Sequence, residues 1–151
     1  MQERFETFTV LINRISRNIR RLKNQEMAAY HLRSAHVSCL YYIYSLDRVT
    51  ATDLCEHCEE DKATISRALD YLEENGFLLR SPGSAKRYKS PLGLTEKGLA
   101  AGQKIAEKID GVLDAVSSSL GPEERVAFYR SLAKISAGLE DITRRGQSKE
   151  Q

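Results

Sequence analysis

The chain has 151 residues, of which 29% are charged and 41% are hydrophobic, and its formal net charge is +2. This length is typical of one domain and allows a sizeable core. No apolar run approaches the roughly 20 residues needed to span a bilayer, and the N-terminal residues lack a secretory hydrophobic segment. We therefore expect a cytoplasmic protein without a membrane partner. The three cysteines, an odd number without a secretion signal, argue against structural disulfides.

The N-terminal segment has apolar residues at alternating spacings of three and four. They are Phe5, Phe8, Ile12, Ile15, Ile19 and Leu22. This spacing predicts a helix of roughly five turns with one continuous apolar seam. Such a seam needs a partner surface, either the chain's own C-terminal helices or a second copy of the chain. Residues 24–34 read as a connection with some helical content.

The next predicted helix follows Ser34, which we expect to cap it. Its apolar residues are Val37, Leu40, Tyr41, Ile43, Tyr44 and Leu46. Because they surround nearly the whole helix, the helix is predicted to be central and buried.

Two short capped helices are predicted after residue 49. Thr50 can cap the first, with Asp53 as its reciprocal partner. Asp61 can cap the second, and Asn75-Gly76 can end it, because glycine accepts the left-handed conformation. On the second helix Ile65, Ala68, Leu69 and Leu72 share one face. The opposite face is small, polar and cationic, as suits reading of the major groove.

A basic hairpin is predicted between residues 77 and 94. Residues 77–80 read as its first strand, Pro82-Gly83-Ser84 as its turn, and residues 87–94 as the return. Pro91 cannot donate to a ladder, so the pairing must lie at an edge. The segment contains Arg80, Lys86, Arg87 and Lys89, with no acid before Glu96.

Two further helices are predicted at the C-terminal end. Thr95 can cap the first, and Gly121-Pro122 separates it from the second. The second has an apolar stripe formed by Val126, Tyr129, Leu132, Ile135, Leu139 and Ile142. The polar tail from Arg144 onward is expected to be frayed.

The pattern T50-x-x-D-L, then D61-K-A-T-I-S-R-x-L-x-x-L-E-x-x-G-F-L, resembles the winged helix-turn-helix of the MarR family of bacterial transcriptional regulators. The segment L94-T-E-K-G98 is similar to the family's pattern as well. The resemblance implies a mainly α fold with a small β-wing. It implies a single domain with a winged helix-turn-helix at 34–95 and dimerisation helices at 1–33 and 96–145.

The resemblance also implies a function: a DNA-binding transcriptional regulator, expected to be a ligand-responsive repressor that acts as a homodimer on a palindromic operator. The expected recognition-helix contacts are Lys62, Ala63, Thr64, Ser66 and Arg67. The expected wing contacts are Lys86, Arg87, Tyr88 and Lys89. One departure concerns the wing tip, where the family's usual aspartate before the arginine is replaced by Lys86.

Members of this family often hold small aromatic ligands between the dimer helices and the winged helix. Such an effector pocket would involve Tyr30, His36, Tyr41 and Tyr44. The alternative, at least as well supported, is that these residues are ordinary core and surface aromatics.

The cysteine pair Cys55-x-x-Cys58 could in principle bind zinc or cycle as a dithiol. Zinc needs four ligands, and no second ligand pair follows in the sequence. The sequence favours core packing for both thiols, with a redox or metal switch, involving Cys39, as the alternative.

No cofactor, metal or enzymatic activity is predicted. The alternative functions are a protein-interaction winged helix and a cysteine-based redox or metal sensor.

Overall fold

A computed structural model describes the backbone of residues 2–79 and 89–147 and the side chains of residues 6–79 and 89–146. Over these ranges the chain is mainly helical, as predicted. The α-helices are α1 (Gln2–Glu26), α2 (Ser34–Ser45), α3 (Ala51–Cys58), α4 (Lys62–Glu74), α5 (Glu96–Ser117) and α6 (Pro122–Gln147). A short 3-10 helix, Ala28–Tyr30, follows α1. Helix α1 is therefore longer than the roughly five turns that the sequence predicted.

The caps of the two short helices are confirmed. The backbone N–H of Thr50 donates to Asp53 Oδ2 at 2.8 Å, and the N–H of Asp53 donates back to Thr50 Oγ1 at 3.3 Å. At the next helix the N–H of Thr64 donates to Asp61 Oδ1 at 2.7 Å. Gly76 ends this helix with φ +75°, in the left-handed region that glycine adopts without strain.

The core is formed chiefly by α2, α3 and α4. The predicted face of α4 is confirmed, since Ile65, Ala68, Leu69 and Leu72 are at most 2% exposed. The central position predicted for α2 is also confirmed, because Val37, Cys39, Leu40 and Ile43 are buried. Met27 and Leu32 join this core from either side of the 3-10 helix. The sequence had treated the segment that contains them only as a connection.

Two predicted helix ends were wrong. The cap position of α2 is Arg33, whose N–H donates to His36 Nδ1 at 3.1 Å, and Ser34 is already helical. The N–H of Ser34 donates to Asn24 Oδ1 at 2.7 Å. The last helix does not fray at Arg144 but continues to Gln147. Arg144 pairs with Asp141 one turn earlier at 2.9 Å, which supports that last part of the helix.

The segment after α4 pairs with the segment before α5. Leu78 and Leu94 form an antiparallel bridge, and the N–H of Leu79 donates to the carbonyl of Gly93 at 2.9 Å. The N–H of Leu92 donates to Val49 O at 2.8 Å. These bonds form the base of the predicted wing. Its tip, residues 80–88, lies outside the described residues.

The chain divides into two compact units, residues 1–109 and residues 110–151. In the first unit, α1 exposes most of the predicted seam to solvent: Ile12, Ile15, Ile19 and Leu22 are 37% to 51% exposed. In the second unit, Val126, Tyr129, Ile135, Leu139 and Ile142 are 42% to 69% exposed. Of the helices within the described part of the chain, none is long and apolar enough to cross a bilayer.

Candidate nucleic-acid interface

Helix α4 has two contrasting faces. One packs into the core, as described above, and the other carries the residues predicted to contact DNA. Lys62, Ala63 and Arg67 are exposed, while Thr64 and Ser66 are half-buried. The structure therefore brings all five predicted recognition residues together at the N-terminal part of one helix.

The hydroxyl of Thr64 is held by its neighbours on both sides. It donates to Asp61 Oδ2 at 3.1 Å and accepts from Arg67 Nη2 at 3.1 Å. The backbone N–H of Thr64 holds the pKa of the Asp61 carboxyl below its usual value, with a smaller contribution from the Thr64 hydroxyl. Asp61, Thr64 and Arg67 therefore form a chain of side-chain hydrogen bonds on the exposed side of α4.

The turn between α3 and α4 brings the two helices into the arrangement of a helix-turn-helix. Glu59 adopts a left-handed conformation with φ 51°, and its N–H donates to Glu56 O at 3.3 Å. The chain reverses within residues 59–61, and α4 begins directly after Asp61. This short turn presents the N-terminal end of α4 outward, as groove reading requires.

The segment from Leu94 to Gly98 fixes the base of the wing to the end of α4. Thr95 caps α5 by accepting the N–H of Gly98 at 3.0 Å, and its own hydroxyl donates to Gly76 O at 2.7 Å. Lys97 Nζ donates to Asn75 O at 2.7 Å. A Cβ at Gly98 would lie 2.0 Å from the carbonyl oxygen of Phe77, so only glycine fits there. The predicted cap at Thr95 is confirmed, and the residue types of this segment have a structural explanation.

The predicted wing contacts are only partly described. Lys89 is exposed in a turn at the base of the wing. Lys86, Arg87 and Tyr88 lie outside the described residues. Their contacts with DNA stay predictions from the sequence.

The four aromatic residues nominated for an effector pocket have separate neighbours. The ring of His36 stacks on that of Tyr71 with centroids 4.2 Å apart, and burial lowers the pKa of His36. Tyr30 accepts a hydrogen bond from Lys104 Nζ at 3.0 Å. Tyr41 contacts Tyr42 edge to face, at 5.3 Å between ring centroids. Tyr44 lies against Gly102.

A cavity of about 350 Å³ lies between α1, α2 and the end of α3. Its apolar lining comes from Ile12, Ile15 and Ile19 of α1. Its polar lining consists of Ser16, Arg20, Lys23, Ser34, Ser38, Cys58, Glu59 and Glu60. The sequence did not single out this site, because its walls come from three helices that are far apart along the chain. The one available signal was a set of basic residues on the N-terminal helix, Arg14, Arg17, Arg20, Arg21 and Lys23.

Metal ligation has no support in the described ranges, since no group of three or more histidine, cysteine or acidic side chains there could hold an ion. All three cysteines are free thiols. Cys39 is fully buried, whereas Cys55 and Cys58 are partly buried against the core. Both C-x-x-C thiols therefore contribute to packing, as the sequence favoured.

The fold is that of a winged helix-turn-helix protein. A crystal structure of the S. aureus MepR–DNA complex matches it with a TM-score of 0.75 at 21% identity, covering 87% of this chain and 96% of that chain. A MarR-family transcriptional regulator from Silicibacter pomeroyi matches with a TM-score of 0.71 at 28% identity, covering 85% of this chain and 86% of that chain. These similarities define the structural class.

The sequence comparisons agree with the structural ones. Residues 32–87 match the model of the MarR family. YwhA of Bacillus subtilis, an uncharacterised HTH-type transcriptional regulator, is 26% identical over 106 residues, which are 70% of this chain and 76% of that protein. The chain belongs to the MarR family and is a DNA-binding transcriptional regulator. This confirms the resemblance inferred from its helix-turn-helix segment.

Proposed function

We propose that this regulator acts in the cytoplasm as a homodimer on a palindromic operator in double-stranded DNA, as an effector-responsive repressor. Helix α4 enters the major groove, and the wing contacts the adjacent backbone or minor groove. The observation that carries the proposal is the divided surface of α4. Four apolar side chains on it are buried, while its cationic and hydroxyl side chains face outward on a capped N-terminal end.

Base reading is assigned to the outward face of α4. Arg67 carries a guanidinium of the kind that recognises guanine in the major groove, and Thr64 carries a hydroxyl that can bond to either base type. The bond between these two side chains limits their freedom before DNA arrives. Such preorganisation lowers the entropy lost on binding. Lys62, Ala63 and Ser66 complete this contact surface.

The wing is assigned to the phosphate backbone. In the sequence, Lys86, Arg87, Tyr88 and Lys89 lie between the bridge partners Leu78 and Leu94. Cationic side chains on such a hairpin attract phosphate whatever the base sequence. Replacement of the family's usual aspartate by Lys86 removes a negative charge and adds a positive one at this point.

The homodimer is supported by the exposed stripes of α1 and α6. Large contiguous apolar surfaces of this kind mark interaction sites in soluble proteins, and a two-fold dimer is the commonest assembly. A dimer presents two copies of α4, which accounts for a palindromic operator with half-sites about one helical turn apart.

Response to a small aromatic effector rests on the family resemblance and on the aromatic side chains near α2. Tyr30, His36, Tyr41 and Tyr44 stay the residues proposed for that role. Thermal-shift screening of small aromatic acids against wild type and Tyr44→Ala tests it. A stabilising compound whose effect is unchanged in Tyr44→Ala would contradict this assignment.

Salt titration separates the two contact surfaces. Thr64→Ala should change base preference and cost about 1–3 kcal/mol on a selected operator if a base contact is lost. Arg87→Ala should weaken the selected operator and random duplex alike and reduce the salt slope by about one phosphate contact. The measurement is fluorescence anisotropy of both duplexes at several salt concentrations.

Lys134→Ala is the matched charge control for this experiment. It removes one exposed cation from α6, and the salt slope should not change. If Arg87→Ala behaves like Lys134→Ala while Thr64→Ala weakens both duplexes equally, the assignment of helix and wing is wrong. If wild-type protein binds neither duplex at low salt, the alternative of a protein-interaction winged helix is favoured instead.

A further inference from the structure

The side of α1 opposite its apolar seam carries three arginines that the proposed DNA contacts do not use. Arg14, Arg17 and Arg21 are all exposed. Because an α-helix turns by about 100° per residue, these three side chains lie within about 60° of one another around α1. The middle of this arginine face is about 150° from the middle of the seam. The arginine face therefore stays accessible when the seam is covered.

The arginine face also points away from the cavity between α1, α2 and the end of α3. Arg20 and Lys23 of α1 line that cavity together with Glu59 and Glu60, whereas no member of the arginine face does. Glu59 and Glu60 belong to the turn that leads into α4. The arginine face is thus directed away from the residues that begin the DNA-reading helix, and a duplex held by α4 leaves it free.

Positive charge is concentrated on α1. Residues 7–25 contain five cationic residues and no acidic one, whereas the net charge of the whole chain is +2, so the remainder of the chain is net negative. No acid lies three or four residues from any member of the arginine face, and these are the spacings at which ion pairs form along a helix. Arg17 and Arg21 are instead one turn apart, where like charges destabilise a helix. Such a surface favours an external polyanion.

The side-chain type favours phosphate as the group that is bound. Arginine fills all three positions of the face, and its planar guanidinium can donate two parallel hydrogen bonds to one phosphate group. Asn13 and Asn18, which are exposed on either side of the face, carry amides of the kind that also donate to phosphate oxygens. The face therefore combines charge with directed hydrogen-bond donors.

The spacing of the face matches a nucleic-acid backbone. Arg14 and Arg21 are about 10 Å apart along the axis of α1. One strand of duplex DNA has a phosphate every 3.4 Å or so along its axis, so a strand beside α1 presents about three phosphates over that length. Acidic protein surfaces and lipid headgroups have no comparable fixed repeat. The three guanidiniums thus fit three consecutive phosphates.

We propose that the arginine face of α1 binds the phosphate backbone of a second DNA duplex while α4 holds the first. The protein then bridges two duplexes, or two distant segments of one DNA molecule. The second contact is independent of base sequence, because phosphates carry no sequence information directly. The inference goes beyond the proposed operator contacts and does not rest on the homodimer, because each chain carries one α4 and one arginine face.

Energy transfer between two labelled duplexes tests the proposal. The selected operator carries a donor dye, a random duplex carries an acceptor dye, and both are mixed with the full-length protein. Wild type should bring the two dyes together at low salt. A contact with three phosphates should weaken by about 40-fold between about 50 and about 200 mM salt, and the transfer should fall accordingly. Fluorescence anisotropy of the operator in the same samples reports whether α4 is occupied.

Variants assign the bridging to the arginine face. Arg14→Gln, Arg17→Gln and Arg21→Gln, combined in one protein, should abolish the energy transfer and leave the affinity for the operator unchanged. Replacing the same three residues by lysine should keep part of the transfer, because the charge remains while the planar fork is lost. Unchanged operator binding also shows that the glutamine variant is folded.

The matched control removes three cations from α6. Arg130, Lys134 and Arg145 are exposed and lie within about 60° of one another around that helix. Unlike the arginine face, they share their side of the helix with an acid, Asp141. Replacing the three by glutamine should leave the energy transfer at the wild-type level.

Several results would overturn the proposal. One is the absence of transfer in wild type at low salt with the operator bound, and another is transfer that survives in the glutamine variant of α1. A third is binding of phosphatidylserine vesicles or of polyglutamate through the arginine face without any transfer, which would assign the face to a lipid or an acidic protein.

Failure of the operator contacts is distinguishable from failure of this inference. If no operator can be selected, the random duplex alone decides. The glutamine variant of α1 should then bind the random duplex with a salt slope smaller by about three phosphate contacts than that of wild type. An unchanged slope would exclude the arginine face as a phosphate-binding surface.

Discussion

Helices α4 and α1 both carry apolar stripes at helical spacing, yet the chain treats the two stripes differently. The stripe of α4 is at most 2% exposed, whereas Ile12, Ile15, Ile19 and Leu22 of α1 are 37% to 51% exposed. The same contrast separates α4 from α6, in which Val126, Tyr129, Ile135, Leu139 and Ile142 are 42% to 69% exposed. Equal periodicity therefore does not mean equal burial. The stripe of α4 is buried within its own unit, whereas most of the apolar residues named in α1 and α6 are exposed.

The largest effect is expected from a charge placed in the α1 seam. Ile12→Asp should weaken the homodimer by about 100-fold or more, because an unpaired carboxylate would be buried at the interface in both subunits. Sedimentation velocity at micromolar concentration measures this. Asn13→Asp is the control, since it adds the same side chain about 100° away around the helix and should leave the assembly intact. A wild-type protein that sediments as a stable monomer would contradict the homodimer itself.

The next effect distinguishes burial within the chain from burial between chains. Leu69→Ala should lower the free energy of unfolding by about 2–5 kcal/mol at every protein concentration, because it leaves a cavity in the core. Leu139→Ala should act mainly on the dimer, so its cost should depend on concentration. Urea denaturation of both variants over a range of protein concentrations compares their losses of stability. A concentration-independent loss of equal size at both positions would mean that the α6 stripe is covered within one chain.

The smallest effect concerns a local feature of the core unit, the capping box of α3. Thr50→Ala should cost about 1 kcal/mol at neutral pH. The backbone hydrogen bond from Thr50 lowers the pKa of Asp53, with a smaller contribution from the Thr50 hydroxyl. A carboxyl whose folded pKa is depressed contributes stability above its unfolded pKa of about 3.9, and this contribution is lost as pH falls through the folded value.

The penalty of Thr50→Ala should therefore shrink between pH 7 and pH 3, as Asp53 becomes protonated in the wild type. Urea denaturation at the two pH values measures the change. Ser118→Ala, which removes a hydroxyl bonded to the carbonyl of Ala115, is the control, and its effect on stability should not depend on pH. If the losses of stability in both variants change with pH in the same way, the capping box is not the source of the pH dependence.

Much of the helix-turn-helix could be predicted, because the interactions that define it join residues close together in the sequence. The bonds between Thr50 and Asp53, and between Asp61 and Thr64, join residues three apart, so the residue types alone predict them. The buried face of α4 follows from its period. The cap of α2 shows where such reasoning stops: Ser34 had the right residue type, but Asn24, ten residues earlier, accepts its N–H.

The sequence by itself determined the family, the order of the helices and the divided surface of α4, since each depends on neighbours within one or two turns. Only the tertiary structure decided which side chains meet across helices. It buried Met27 and Leu32 and placed the cavity between α1, α2 and α3. Contacts of this kind depend on how whole helices pack against one another, which the spacing of residues along the chain does not specify.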